Sequence, residues 1–332
     1  MKLIARIAVI IAAAGVAAPR AQDAPAKVEP LHFHHMHLNS TDPKTAAAYY
    51  PKPFAVSAIA TTFNGFDAVK TGNVYILFTK VPVTPQNELT GPQTSVWHFG
   101  WNTPNSRQYN EKFRTMGLTI AQMWDAADGK LVDMSSDTLP GLPTQEQILE
   151  MRAKGTQPTR EGGFGYLRGP DGAMIENAQA GTTERFNHVH MYHEHPRCAM
   201  EWYVTHLGAR MPAGRGGAAP AEAPGGDCHT KTYAPPTWPS FAKTGFVRDP
   251  AGGVNFDDIS ISIRPWPGGG LVSTRGKIYD HWALSTADLD ATVARLKREN
   301  VKFLEEIHPW GSSRAAMIEG PDRIAIELVE VK

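Results

Sequence analysis

The sequence has little cysteine, no excess of either charge and no long hydrophobic run. Lysine plus arginine and aspartate plus glutamate stand at 33 each, for a formal net charge of zero. No overall field therefore draws the chain to a polyanion, and a nucleic-acid partner is not expected. The one apolar run, Ile7 to Ala18, is about a dozen residues long, where a membrane span needs about 20. Lys2 and Arg6 precede it and small residues follow, the order of a secretory signal peptide over residues 1–21. Cleavage is expected after Ala18 or Ala21. No cysteine follows the run to take a lipid, so no stable membrane anchor is expected and the mature protein should be periplasmic or secreted. Only Cys198 and Cys228 are present. In an exported protein two thiols can pair, and the sequence leaves that open.

What the chain does have is histidine. It carries 13 in 332 residues, and "HFHHMHLNSTDP" packs His32, His34, His35 and His37 into one short stretch. The stretch belongs to a unit that recurs. His35 is followed seven residues later by Asp42, His98 by Asn105, His188 by His195 and His281 by Asp288. After each comes a helix-like segment, ending at Gly117, Gly208 and Asn300 in the last three copies, with cap chemistry at both ends. Leu289, Val293 and Leu296 show the helical spacing in the fourth copy. A β-rich stretch then closes each unit: "NVYILFTKVP", "GYLRGPDGAMIENAQ", "FDDISISIRPWP" and "RAAMIEGPDRIAIELVEV". Each copy reads as one strand, one helix and about three further strands.

The second and fourth copies share a second mark. "GPDGAMIEN" places Glu176 six residues after Pro170, and "GPDRIAIEL" places Glu327 six after Pro321. Both glutamates fall on a strand entered through a tight turn, where alternate side chains share a face. The inventory is two strand histidines and one glutamate for the first two copies, and the same for the last two.

From about residue 31 to the end, the chain resembles the vicinal oxygen chelate superfamily of glyoxalases, bleomycin-resistance proteins and extradiol dioxygenases. The resemblance rests on the repeated βαβββ unit, the histidine on its first strand and the late glutamate. It implies an α+β fold of four βαβββ modules paired into two domains, residues 31–180 and 185–332, each with a cupped mixed sheet. The four-module layout is most similar to extradiol dioxygenases. That likeness implies metal sets of His35, His98 and Glu176, and of His188, His281 and Glu327. Two histidines and a carboxylate on one face of a metal leave positions open, unlike a closed structural site. The implied cofactor is a divalent metal, Fe(II) first, with Mn(II) or Zn(II) as alternatives. The family's catalytic tyrosine, ten residues before the glutamate, is matched by Tyr166; Met317 stands there in the second half. A helper histidine nine residues before that position is matched by His308, with Gln157 in the first half. Tyr166 and His308 are therefore the candidate proton-transfer residues.

Other histidines carry less. His37 and His190 follow their strand histidines by two and share their face, as neighbours of the metal or of substrate. His32 and His34 are expected to be exposed, and His193, His195 and His206 to lie on the surface or in turns. "PAGRGGAAPAEAPGG" reads as a loop, and Thr144 with Gln147 as the capping box of an extra helix. The expected activity is that of an extradiol-dioxygenase-like oxygenase acting on a small catechol-like substrate. A glyoxalase-type isomerase or lyase and a non-catalytic small-molecule binding or resistance protein are the alternatives. Export is directly testable: N-terminal sequencing of the protein secreted by a bacterial host should begin near Pro19 or Gln22, and an intact Met1 would overturn it.

Overall fold

Three of the four repeats begin their helix with the capping bond that the sequence calls for. Asp42, Asn105 and Asp288 each accept from the backbone N–H three residues on, at 3.1, 3.1 and 2.8 Å. His195 takes the same place before Pro196 without a side-chain cap bond.

The computed structural model describes residues 29–87, 90–121, 164–179, 181–212, 252–266 and 270–331, with short stretches within 147–156, 228–233 and 247–248. The proposed leader, Thr144 of the capping box, Gln157 and the Gly/Pro/Ala-rich run from Ala213 lie outside them.

The first module is β1 (His32–Ser40), α1 (Pro43–Tyr49), β2 (Ile59–Phe63), β3 (Phe66–Thr71) and β4 (Val74–Lys80). The second is β5 (Val96–Asn102), α2 (Ser106–Thr115), β6 (Phe164–Arg168) and β7 (Met174–Ala178). The third is β8 (Arg185–His193), α3 (Pro196–Leu207), the short pair β9 (Thr232–Tyr233) and β10 (Val247–Arg248), then β11 (Gly252–Phe256) and β12 (Ile259–Pro265). The fourth is β13 (Tyr279–Thr286), α4 (Leu289–Arg298), β14 (Lys302–Trp310), β15 (Ser313–Glu319) and β16 (Ala325–Glu330).

Two large mixed sheets result, with orders β14-β15-β16-β13-β1-β4-β3-β2 and β11-β12-β8-β5-β7-β6. The α+β fold of repeated modules holds. The pairing differs from the sequence expectation, because the first module shares a sheet with the fourth and the second with the third. Strand β1 runs antiparallel to β13, and β5 antiparallel to β8. Residues 31–180 and 185–332 therefore do not form separate sheets. The connections give the physical reason. Residues 179–184 join modules two and three within one sheet, whereas the longer segments 81–95 and 266–278 cross from one sheet to the other.

The two sheets pack against each other through a shared core. Phe33 of β1 stacks on Phe186 of β8, ring centroids 5.8 Å apart, within a core shared by both sheets. The Gly-Pro-Asp turns pin this contact. Asp171 accepts from Ser40 Oγ at 2.5 Å and from Thr41 N at 3.2 Å, and Asp322 lies 2.6 Å from His193 Nδ1 and accepts from Glu194 N at 3.1 Å. Both aspartates sit in the left-handed region, at φ 54° and 53°, a conformation that aspartate tolerates better than most residues. His193 is fully buried and bonded, contrary to its expected surface position.

Cys198 on α3 is disulfide-bonded to Cys228, with Cα atoms 5.0 Å apart. Among the described residues no helix is long and apolar enough to cross a membrane.

Two outcomes follow. A fragment ending near residue 182 leaves β1 and β5 without their antiparallel partners, so far-UV circular dichroism should show it unfolded alone and folded when co-expressed with the remainder. A fragment that folds cooperatively by itself would contradict the interleaved pairing. Replacing Cys198 and Cys228 by serine opens a bridge spanning 30 residues and should lower unfolding free energy by about 3 kcal/mol in denaturant titration.

Candidate metal centres

A β-bulge sets up each histidine strand. In β1 the register against β13 slips between Phe33 and His35, and in β8 the register against β5 slips across Asn187. The extra residue changes which face the chain presents. Phe33, Met36 and Leu38 join the apolar core, while His35 and His37 turn toward the opposite, concave face. His34 is the inserted residue and, against expectation, is buried. Its Nδ1 lies 2.8 Å from Nδ1 of His35, and burial pushes its pKa down to about 4. His32 is exposed as expected, with Nδ1 2.8 Å from Asp257.

All six expected ligands converge, in two clusters, but the partition is corrected: His35 and His188 change places. In the six-stranded cup, Oε2 of Glu176 lies 2.8 Å from His98 Nε2, 3.1 Å from His188 Nε2 and 3.5 Å from His190 Nδ1. In the eight-stranded cup, Oε2 of Glu327 lies 3.4 Å from His35 Nε2 and 3.7 Å from His281 Nε2. His37 completes this group, its ring centroid 4.5 Å from that of His281. The sets His35–His98–Glu176 and His188–His281–Glu327 therefore do not form, because their members lie on different sheets.

Register explains the arrangement. Glu176 pairs with Gly100 and Glu327 with Ala283, each two residues beyond the histidine of its own module. Modules two and four thus supply a histidine and a glutamate, and modules one and three supply two histidines apiece. Small residues are required opposite. A Cβ on Gly100 would run into the ring of His188 and approach Glu176 Cβ to 2.9 Å. Sequence reasoning passed over Gly100, although a lone glycine inside the apolar strand "VWHFGWN" marks a close approach.

Both clusters are almost sealed. Burial holds the pKa values of His35, His37, His98 and His190 below the ordinary imidazole range, so these rings are neutral and can act as ligands. Burial alone would raise the Glu176 carboxyl, but His188 and His98 hold it well below the usual carboxylate range. Burial would likewise lower His281, but the hydrogen bond to Asp280 and the nearby Glu327 carboxylate lift it to about 9.

Three of the four strand histidines are oriented by the residue before them. Nδ1 of His188 is 2.8 Å from Asn187 Oδ1, Nδ1 of His281 is 2.7 Å from Asp280 Oδ1, and Nδ1 of His35 meets His34. That contact occupies Nδ1 and leaves Nε2 facing the glutamate, the support that metal-bound imidazoles usually receive. Asp280 is itself held by Arg275 and by Gly276 N at 2.7 Å.

In the eight-stranded cup His35 Nε2, His281 Nε2 and Glu327 Oε2 are buried without a hydrogen-bond partner. Three such atoms meeting at one point are costly unless something joins them. Their spacing suits ligand atoms about 2 Å from a shared divalent ion. The donor set of each cup fits such an ion, and both clusters could hold one.

Tyr166 lies directly across the β6–β7 pair from Glu176, fully buried, with its ring 5.2 Å from that of His98. Burial drives its pKa well above 10, so the hydroxyl keeps its proton. Met317 takes the same register opposite Glu327. His308 is half-exposed on β14. Among the described residues its imidazole bonds the Glu306 carbonyl at 3.0 Å and lies 3.9 Å from Glu305, both on its own strand and neither in a cluster.

Comparison with known proteins bears on the fold. Residues 185–328 match the model of the Glyoxalase/Bleomycin resistance protein/Dioxygenase superfamily. A search of curated proteins by sequence gives no match. Glyoxalase I from Zea mays superposes with a TM-score of 0.55 at 14% identity, covering 90% of this chain and 92% of that one. A putative dioxygenase from Bacillus subtilis superposes at 0.47 and 10% identity, covering 91% and 86%. At such identities the likeness to glyoxalase I is one of fold. The second half of the chain, residues 185–328, thus resembles the glyoxalase, bleomycin-resistance and dioxygenase superfamily in sequence, and the chain shares its fold with glyoxalase I.

Proposed function

We propose that this protein is an exported, metal-dependent oxygenase of the extradiol type, acting on a small substrate with two adjacent oxygens. One observation carries the reading: in each cup two strand histidines face one glutamate through Nε2, with a third histidine, His190 or His37, beside them. Two histidines and one carboxylate on one face are the donor set of non-haem Fe(II) oxygenases. When bound, the metal supplies Lewis acidity and open positions for vicinal oxygens; Mn(II) and Zn(II) suit the same donors.

The six-stranded cup is the better placed for chemistry. His98, His188 and Glu176 would hold the ion. Asn187 aims the His188 ring, and Gly100 leaves room for it. Tyr166 keeps its proton beside His98 and can donate it to a substrate oxygen. Trp97, Tyr192 and Leu271 pack around Tyr166 and exclude water. In the eight-stranded cup Met317 cannot donate a proton, so that cup is assigned to binding. The disulfide suits an oxidising compartment and supports export.

A metal-dependent isomerase or lyase of the glyoxalase type is the second reading. It is favoured by His190, whose unpartnered Nδ1 stands 3.5 Å from Glu176 Oε2 as a fourth donor or a base.

Oxygen uptake by the anaerobically Fe(II)-loaded protein on a catechol panel tests the first reading. Turnover without oxygen consumption would establish the second, and metal binding without any turnover would leave a binding protein. Metal analysis of the loaded protein should give two equivalents per chain, one per cluster. Glu176→Gln should remove one and abolish turnover, and Glu327→Gln should remove the other. A double variant with full metal content would refute ligation by these residues. Tyr166→Phe should keep the metal and lower kcat by about 10²-fold or more.

A further inference from the structure

The eight-stranded cup has a second chamber that the metal cluster does not use. A cavity of about 860 Å³ opens at its rim, between the start of β1 and the β14–β15 turn. His34, Phe63, Tyr75 and Trp310 line it, and none of His35, His281 or Glu327 does. The partition is Trp310, whose indole lies parallel to the His35 ring with centroids 5.6 Å apart.

The lining determines what fits. Phe63 and Tyr75 stack at 4.2 Å between centroids, and His34 stands 5.6 Å from Phe63, 6.0 Å from Tyr75 and 6.0 Å from Trp310. Four rings thus share one wall. Arg314 also faces the cavity, but Glu330 and Asp290 already hold its guanidinium, so it offers no unmatched charge to an anion. Asp257, also at the rim, already meets His32, its Oδ1 2.8 Å from Nδ1. A polar handle comes from His34: its Nδ1 is taken by His35, which leaves Nε2 for a ligand. The chamber is held in shape by Asn64, which donates from Nδ2 to the Trp310 carbonyl at 2.7 Å and accepts from Ser312 N at 2.9 Å. That clasp joins the β2–β3 turn to the β14–β15 turn across the mouth of the cup. At 860 Å³ the cavity lies within the usual range for small-molecule sites.

We propose that this chamber is a binding site for a planar aromatic ligand carrying one hydrogen-bonding oxygen, seated on the Phe63–Tyr75–Trp310 wall and tied to His34, and separate from the metal donors. The proposal does not depend on turnover or on bound metal.

Calorimetric titration of the chelator-treated full-length protein tests it, with 2-naphthol as probe and its saturated analogue decahydro-2-naphthol as control. The naphthol is expected to bind at least about 5-fold more tightly, the scale of one aromatic pairing. Tyr75→Leu and Phe63→Leu keep apolar bulk and should each weaken naphthol by about 3- to 10-fold. His34→Phe keeps a ring without the nitrogen and should erase the preference for 2-naphthol over naphthalene. Glu327→Gln should leave naphthol affinity unchanged. Equal affinity for the saturated analogue, no binding at millimolar probe, or wild-type affinity in the folded Tyr75 and Phe63 variants would overturn the site. Loss of naphthol binding in Glu327→Gln would show that the probe sits in the metal cluster, which also overturns it.

Discussion

Everything at the two centres depends on one constraint, the antiparallel register between the first strands of two different modules. In that register His37 faces His281 and His98 faces His190. A slip of one residue would turn each row of imidazoles into the apolar core and bring Met36 or Val189 inside. The bulges at His34 and Asn187 fix the register locally. The hydrophobic core fixes it globally, because Phe33, Met36 and Leu38 have no other place to go.

Holding so many polar groups out of water works against stability. The fold offsets this with a large shared core and with pairs in which each buried group restrains the next. Arg275 holds Asp280, Asp280 holds His281, and His281 approaches Glu327. The two cups differ in what stands behind these rings: an aspartate paired with Arg275 behind His281, and a neutral asparagine behind His188.

Much of this was legible in the sequence. The fourfold recurrence gave the modules, the caps Asp42, Asn105 and Asp288 gave three helix starts, and the six strand histidines and glutamates that cluster stood out by their recurring positions, with the family resemblance suggesting their role. Which donors meet was not. Strand-one histidines are equivalent as local signals, and partner choice is a long-range property set by which connections cross between sheets. The bulges were also illegible, since an inserted residue obeys no alternation; that is why His34 was assigned to solvent. Gly100 carried a signal that was overlooked. His308 shows the limit of transferred spacing, because its offset fits the expected pattern while its bonds run along its own strand.

The interleaved pairing has a consequence for how the chain is made. Synthesis proceeds from the N-terminus, so β1 emerges first, but its neighbour β13 arrives only after three modules have been completed. The six-stranded cup can close on its own schedule, since β5 and β8 are separated by a single module. Until the ribosome nears the end of the message, the most histidine-rich strand stays an unpaired edge with a greasy underside, the kind of surface that invites aggregation. A protein in that position gains from being kept unfolded until the whole chain is available. Export as an extended thread, proposed above, would provide that delay, with folding deferred to the far side of the membrane.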